Sequence, residues 1–247
     1  MESLTSYTMT HTLSEIDCDW NGRILPGVLL RLTQQVATAH CEAMGLDRAF
    51  YNQHQLAFLM VKVAFQWEQV PCYGQTLHIT TQPEMQKRAT YKRITTVTDA
   101  TTGEQLGLVD SRWVLVDVES RRILRRPPEE IATLQFEASL PQELPLVIEK
   151  AEQTSKVDDI CASYTYCDWN GHMNNSRYAD LCCDALPQEL LWKESVRAMR
   201  ISYHRELKAG EKGQIHRAQL ADKSWYFTAH KMENDQQVPV FEANVMF

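Results

Sequence analysis

No apolar run in this 247-residue chain is longer than the six residues from Leu56 to Val61, far short of the roughly 20 that span a bilayer as a helix. Glycine and proline, nine each, are too few for a collagen-like or low-complexity chain. Positive charge is also scarce. Lys and Arg number 25 against 32 Asp and Glu, a net charge of −7, which excludes a global attraction to nucleic acid. The seven cysteines form no Cys-x-x-Cys pair, and Cys182 and Cys183 are adjacent. That pattern suits neither a zinc site nor a secreted disulfide framework, so they read as small apolar side chains in a reducing compartment. The first twenty residues have no basic start and no apolar core, and a cytoplasmic protein is expected. What is present is ordinary for a globular chain, 44% hydrophobic and 23% charged, with a length suited to one large domain or two small ones.

The chain also echoes itself. Residues 18–22 read Cys-Asp-Trp-Asn-Gly, and residues 167–171 read the same, 149 positions later. More loosely, Met60 and the run at 74–78 line up with Met199 and the run at 213–216, at an offset of 139. Two copies of a unit of about 100–130 residues fit a duplication better than a solenoid of short repeats. In the first copy Pro26 marks a helix start, Leu25, Leu29, Leu32, Val36 and Ala43 share a face, and Gly45 is the stop. Strand-like runs follow at 57–67, 76–82, 89–98 and 105–118, with Thr102-Gly103 as a hairpin turn. The second copy repeats the order: a strand at 160–166, the pentad, a helix over 174–186 halted by Pro187, then strands near 196–206, 214–221, 225–232 and 238–246. One helix and an antiparallel meander, done twice, is an α+β architecture. The expected organisation is a first unit over 1–130, a second over 156–247, and a connector at 131–155. Pro127, Pro128, Pro141 and Pro145 mark residues 126–155 as a segment that wraps across the structure.

After the shared pentad the copies part. The first continues Arg23-Ile24-Leu25, the second His172-Met173-Asn174-Asn175. The second thus gathers Asp168, Asn170 and His172 ahead of a helix. Backbone N–H groups and the positive helix end there can hold a developing oxyanion, while a carboxylate and an imidazole supply base and acid. Asn-Gly is equally an ordinary turn, and Asp an ordinary cap. Asp19 and Asn21 occupy the first copy without a histidine, so turn-making and catalysis are both open for Asp168 and Asn170. His172, present in one copy only, favours chemistry.

The run Asp168 to Asn175, with Tyr178, resembles the signature of the acyl-[acyl carrier protein] thioesterases, bacterial and plastid enzymes that end fatty-acid synthesis. Arg112 to Asp117 with Arg121 to Pro127, and Ile201 to Glu206, resemble two further segments of that family, so the likeness spans nearly the whole chain. It implies a tandem (double) hotdog fold, two modules each with an antiparallel sheet wrapped around a central helix. It also implies hydrolysis of fatty acyl-ACP by Asp168, Asn170, His172 and Glu206, with an acyl carrier protein as partner of a monomer or homodimer. No cofactor, metal or nucleic acid is expected. Plant members have a Cys directly after the glutamate; here Leu207 stands there, which removes a thiol nucleophile at that position. Strand alternation adds a condition. With Met199, Ile201 and Tyr203 on one face, Glu206 reaches the site only through a bulge or a strand end.

By the offset of 139, Trp67 corresponds to Glu206, so the first copy is expected to have lost chemistry and, by the resemblance, to form the acyl tunnel. Phe58, Met60, Phe65 and Trp113 are candidates for setting its depth. Lys87, Arg88, Lys92 and Arg93, and Arg121, Arg122, Arg125 and Arg126, are basic clusters suited to steering an acidic carrier; the plainer reading is solvated surface with scattered ion pairs. Four rivals stand beside the thioesterase reading: an acyl-CoA thioesterase, a hotdog hydratase or dehydratase, a non-catalytic acyl-binding module, and a metal hydrolase using Asp168, His172, His204 and Glu206. Cys182 shares an apolar helix face with Tyr178, Leu181 and Ala185, which directs it toward core.

Overall fold

The computed structural model describes residues 4–134, 136–221 and 223–247. The N-terminal module comprises β1 (Tyr7–Thr12), α1 (Pro26–Ala43), α2 (Arg48–His54), β2 (Leu56–Trp67), β3 (Thr76–Pro83), β4 (Tyr91–Asp99) and β5 (Gln105–Asp117). A single turn, α3 (Glu129–Ala132), opens the connector. The C-terminal module repeats the order with β6 (Ser155–Cys161), α4 (Arg177–Asp184), α5 (Gln188–Lys193), β7 (Ala198–Tyr203), β8 (Lys212–Ala221), β9 (Ser224–Glu233) and β10 (Gln236–Met246). All ten strands join one sheet in the order β1-β3-β4-β5-β2-β7-β10-β9-β8-β6. The order reads the same from both ends when each strand is matched with its counterpart, a tandem hotdog.

The seam is β2 against β7, antiparallel, with Val63 opposite Ile201, Ala64 opposite Arg200 and Phe65 opposite Met199. The central helices α1 and α4 meet near the same pseudo-twofold axis. Gly27 of α1 gives the Asp180 carboxylate its room, because a Cβ there would lie 1.8 Å from Asp180 Oδ1 and would push that side chain aside. Asp180 Oδ2 accepts from Arg31 Nη1 at 2.9 Å and Arg177 Nη1 at 3.2 Å. Arg31 and Asp180 hold the same place in the two copies, 149 residues apart.

The expected periodicities explain most elements. Pro26 starts α1 with its φ already set, and the stripe Leu29, Leu32 and Val36 is buried. In β3, Leu77, Ile79, Thr81 and Pro83 point inward and their neighbours are half-buried. β10 departs from alternation because both its faces are covered. The connector lies across the outer face of the sheet, and buried polar side chains receive it. Glu84 Oε2 accepts Leu140 N–H, Asp110 Oδ2 accepts Leu144 N–H, Asn244 exchanges two hydrogen bonds with the Glu149 backbone, and Glu242 holds Lys150.

Two expectations need correction, and three elements come without one. The strand placed at 160–166 is β6, earlier in the chain, and Tyr164–Tyr166 is a 3-10 turn. The helix placed at 174–186 is shorter, because Asn174 and Ser176 build a side-chain turn ahead of it. The short helices α2 and α5 and the edge strand β1 carry no strong apolar period of their own, and no sequence pattern announced them.

Candidate active site

Both pentads fold into the same turn. Asp19 N–H bonds Arg23 O and Gly22 N–H bonds Asp19 O; Asp168 N–H bonds His172 O and Gly171 N–H bonds Asp168 O. Gly22 and Gly171 both adopt left-handed φ, 71° and 76°, which is why glycine ends the pentad. The next contacts also match: Ile24 N–H to Pro71 O and Met173 N–H to Leu207 O, Tyr73 N–H to Gly22 O and Ala209 N–H to Gly171 O. These partners are 136 residues apart, as are the positive-φ pair Gly74 and Gly210. The structural counterpart of Glu206 is therefore Val70, and Trp67 corresponds to Tyr203. The looser repeat at offset 139 misaligned them because it matched similar residues three positions out of register.

Glu206 meets the condition that alternation set. β7 ends at Tyr203, and the next two N–H groups, His204 and Arg205, both donate to Val240 O. This bulge resets the strand, and Glu68 and Gln69 do the same on Leu106 O in the first copy. Beyond it, Glu206 Oε2 lies 3.4 Å from His172 Nε2. Both side chains keep access to water, at 27% and 48% exposure. The structure thus brings His172 and Glu206 together on the turn that also carries Asp168 and Asn170.

The two turns differ in how many of their polar groups are already committed. Asp19 Oδ1 accepts from both Asn21 N–H and Arg23 N–H, whereas among the described residues Asp168 Oδ1 accepts only from Asn170 N–H. The Asn21 amide donates to the Leu191 and Trp192 carbonyls of α5. The Asn170 amide has no hydrogen-bond partner among the described residues. Each turn's tryptophan meets the short helix of the opposite module: Trp20 packs on Trp192 at 6.0 Å between ring centroids, and Arg48 lies 4.6 Å over the Trp169 ring.

The helix start supplies fewer free donors than the sequence suggested. Asn174 N–H is taken by Tyr166 O, Ser176 N–H by Asn174 Oδ1 and Arg177 N–H by Asn174 O. Asn175 N–H is left without an acceptor among the described residues. Two residues the sequence reading missed fix this segment. Tyr203 donates its hydroxyl to Asn175 O at 3.0 Å, and Gln34 of α1 accepts from Asn174 Nδ2 at 3.1 Å. Tyr203 was visible only as a strand residue, and nothing in the sequence marked Gln34.

The other candidates fall away from this site. His204 turns to Glu242 at 3.0 Å, so the four-residue metal set is not assembled. Burial pushes the Cys182 and Cys183 thiols up, and burial with the adjacent Asp168 does the same for Cys167, which disfavours thiolates. The first basic cluster is only partly a free surface: Arg88 is exposed, but the other three are engaged. Lys87 and Lys92 pair with Glu84, and Arg93 points into the N-terminal module beneath α1. Arg121, Arg122, Arg125 and Arg126 are exposed and carry no carboxylate partner among the described residues.

Comparison with known proteins agrees with this architecture. The chain is 24% identical over 188 residues to a chloroplastic palmitoyl-acyl carrier protein thioesterase of Arabidopsis thaliana, covering 70% of this chain and 45% of that protein. An oleoyl-acyl carrier protein thioesterase of the same plant is 22% identical over 226 residues, covering 83% and 61%. The chain thus spans about half the length of the curated relatives it matches. The fold is shared with an acyl-ACP thioesterase of Bacteroides thetaiotaomicron, at a TM-score of 0.85, 22% identity and 98% coverage of both chains. It is also shared with the 12:0-ACP thioesterase of Umbellularia californica, at 0.82, 17% identity, and 98% and 97% coverage. The acyl-ACP thioesterase N-terminal domain matches residues 5–134 and the C-terminal domain residues 149–247, and the chain belongs to that family.

Proposed function

We propose that this protein hydrolyses the thioester of a fatty acyl group carried on acyl carrier protein, releasing the free acid and the carrier thiol. The observation that carries this reading is the His172–Glu206 pair at 3.4 Å on a turn whose Asn170 amide has no partner among the described residues and whose Asp168 carboxylate caps a single N–H. Glu206 orients the imidazole through Nε2, which leaves Nδ1 for the moving proton. Asp168 acts as the nucleophile or activates the attacking water. Asn170 positions the thioester, and the Asn175 N–H takes charge that develops on its carbonyl oxygen. When Asp168 activates water, the water's proton passes to His172 Nδ1, the C–S bond breaks and His172 gives that proton to the departing thiolate. When Asp168 is the nucleophile, protonated His172 protonates the thiolate and then takes a proton from the water that hydrolyses the acyl–Asp168 anhydride.

The N-terminal module forms the acyl pocket in this reading, and Arg121, Arg122, Arg125 and Arg126 receive the acidic carrier. No helix among the described residues is long and apolar enough to cross a membrane, and seven free cysteines suit a reducing, cytoplasmic setting.

Thiol release measured across C8 to C18 acyl-ACP, with matched acyl-CoA esters, tests the proposal. Release from acyl-ACP with higher kcat/KM than from the CoA esters supports it. Conversion of enoyl or 3-hydroxyacyl thioesters without thiol release would replace it with the hydratase reading.

A further inference from the structure

Arg93 is on the inner face of β4, beneath the last turn of α1. Its Nη1 donates to His40 Nδ1 at 3.1 Å and to Thr81 Oγ1 at 3.2 Å, and Nη2 reaches Cys41 Sγ at 3.8 Å. His40 is fully buried and its Nε2 is 2.8 Å from Leu4 O. A carbonyl can only accept, so Nε2 carries the hydrogen and Nδ1 is the bare acceptor facing Arg93. The imidazole is therefore neutral, in keeping with a pKa held down at about 4 by burial and by the guanidinium. His40 and Thr81 are neutral partners, and no carboxylate lies within ion-pair distance of Arg93 among the described residues. Cations in comparable settings are treated differently: Lys92 holds Glu84, Arg112 holds Asp110 and Lys231 holds Glu211. An enclosed charge without a carboxylate partner is unfavourable in general, and the negative end of α1 offsets only part of that.

The surroundings of Arg93 combine this charge with an apolar aromatic wall. His40 and Thr81 are sealed, yet Arg93 itself keeps accessible surface. Tyr51, Phe58 and Tyr91 form an edge-to-face aromatic series beside it, with Phe58 and Tyr91 5.0 Å apart. They belong to a second apolar cluster, separate from the core shared by both modules and confined to the N-terminal module and the start of the connector. An apolar wall ending at a guanidinium with no carboxylate partner matches one class of ligand, an aliphatic chain that carries a carboxylate.

We infer that Arg93 anchors the carboxylate of a fatty carboxylate within the N-terminal module. The site deepens the thioesterase reading, since it would lie in that reading's acyl pocket. Two sources supply the same chemistry: the free fatty acid that hydrolysis releases, and the distal carboxyl of a dicarboxylic acyl thioester.

The test is calorimetric titration of the full chain with decanoate and with decanol, on wild type, Arg93→Met and Arg93→Lys. Decanoate is expected to bind wild type roughly tenfold more tightly than decanol, with the preference lost in Arg93→Met and partly kept in Arg93→Lys. Inhibition of thiol release by decanoate in wild type, relieved in Arg93→Met, identifies the product as the source. A lower KM for the mono-thioester of decanedioic acid than for decanoyl thioester, again abolished by Arg93→Met, identifies the dicarboxylic chain. Equal binding of decanoate and decanol to wild type overturns the inference, as does an unchanged preference in folded Arg93→Met. If Arg93→Met does not fold, the wild-type comparison and Arg93→Lys decide. Thiol release from plain acyl-ACP reads the thioesterase proposal separately, since Arg93 takes no part in the bond-breaking steps.

Discussion

The two Cys-Asp-Trp-Asn-Gly turns share a backbone and differ in what their side chains are left to do. In the first, Asp19 caps two backbone N–H groups, Asn21 is bound to α5, and Arg23 stands where the second has a histidine. In the second, Asp168 caps one N–H, Asn170 is uncommitted, and His172 faces Glu206. One module uses the motif to hold its neighbour; the other keeps the same groups available. A polar group already satisfied by the fold has little left for a substrate, so the motif alone does not locate chemistry.

Mutations can break this comparison. His172→Ala is expected to lower kcat on the order of 10²-fold or more, with the fold intact by circular dichroism, while Arg23→Ala leaves kcat close to wild type. Near-normal turnover in folded His172→Ala would remove the proposed site. Asn170→Ala should likewise reduce kcat by about 10²-fold at unchanged stability. Asn21→Ala should do the opposite, losing about 1 kcal/mol of stability in a urea titration with little change in rate. If the two asparagine variants behave alike, the difference in commitment carries no functional weight.

Smaller effects sharpen the picture. Reversing Arg121, Arg122, Arg125 and Arg126 to Glu should raise KM for acyl-ACP several-fold and flatten its salt dependence, while hydrolysis of a short uncharged thioester is unaffected. An equal loss on both substrates would show the patch to be structural. Cys182→Ser should keep most activity, with a modest stability loss from a polar atom placed in a sealed site; a folded but inactive variant would restore a thiol mechanism.

The smallest effect is on pH. Burial raises the Glu242 carboxyl, but hydrogen bonds from Lys150, Tyr226 and His204 outweigh it and hold the group below its ordinary value. A depressed carboxyl contributes stability above its unfolded pKa and loses it as pH falls through the folded one. Glu242→Gln should therefore be less stable than wild type near neutrality, and the gap should close at acid pH; a constant gap would show that its charge is not what holds the connector.

Much of this was legible in the sequence. The duplication, α1 and the meanders all follow from short-range patterns of apolar residues and turn formers. The helix at 174–186 came out shorter because Asn174 and Ser176 satisfy each other ahead of it. Glu206 could be named by resemblance, but its route to His172 depends on a shared Val240 carbonyl that alternation does not encode. Gln34 and Tyr203 were out of reach for the same reason: each acts on a segment far away in the chain.

The seam between the modules has a consequence for how the halves recognise each other. The hydrogen bonds that equate residues 136 apart also put Ala64 and Arg200 in corresponding places, and the two are paired across β2 and β7. The axis therefore runs through that pair. If the chain were cut within the connector, each half would be left with an unsatisfied strand edge, a surface that seeks another strand. Two C-terminal halves meeting in the native register would set Arg200 directly against Arg200, and like charges in opposed positions disfavour pairing. An N-terminal half offers alanine there instead. Separately made halves would thus assemble with each other in preference to the C-terminal half assembling with itself, and a single arginine on the axis would make the heterodimer the favoured product.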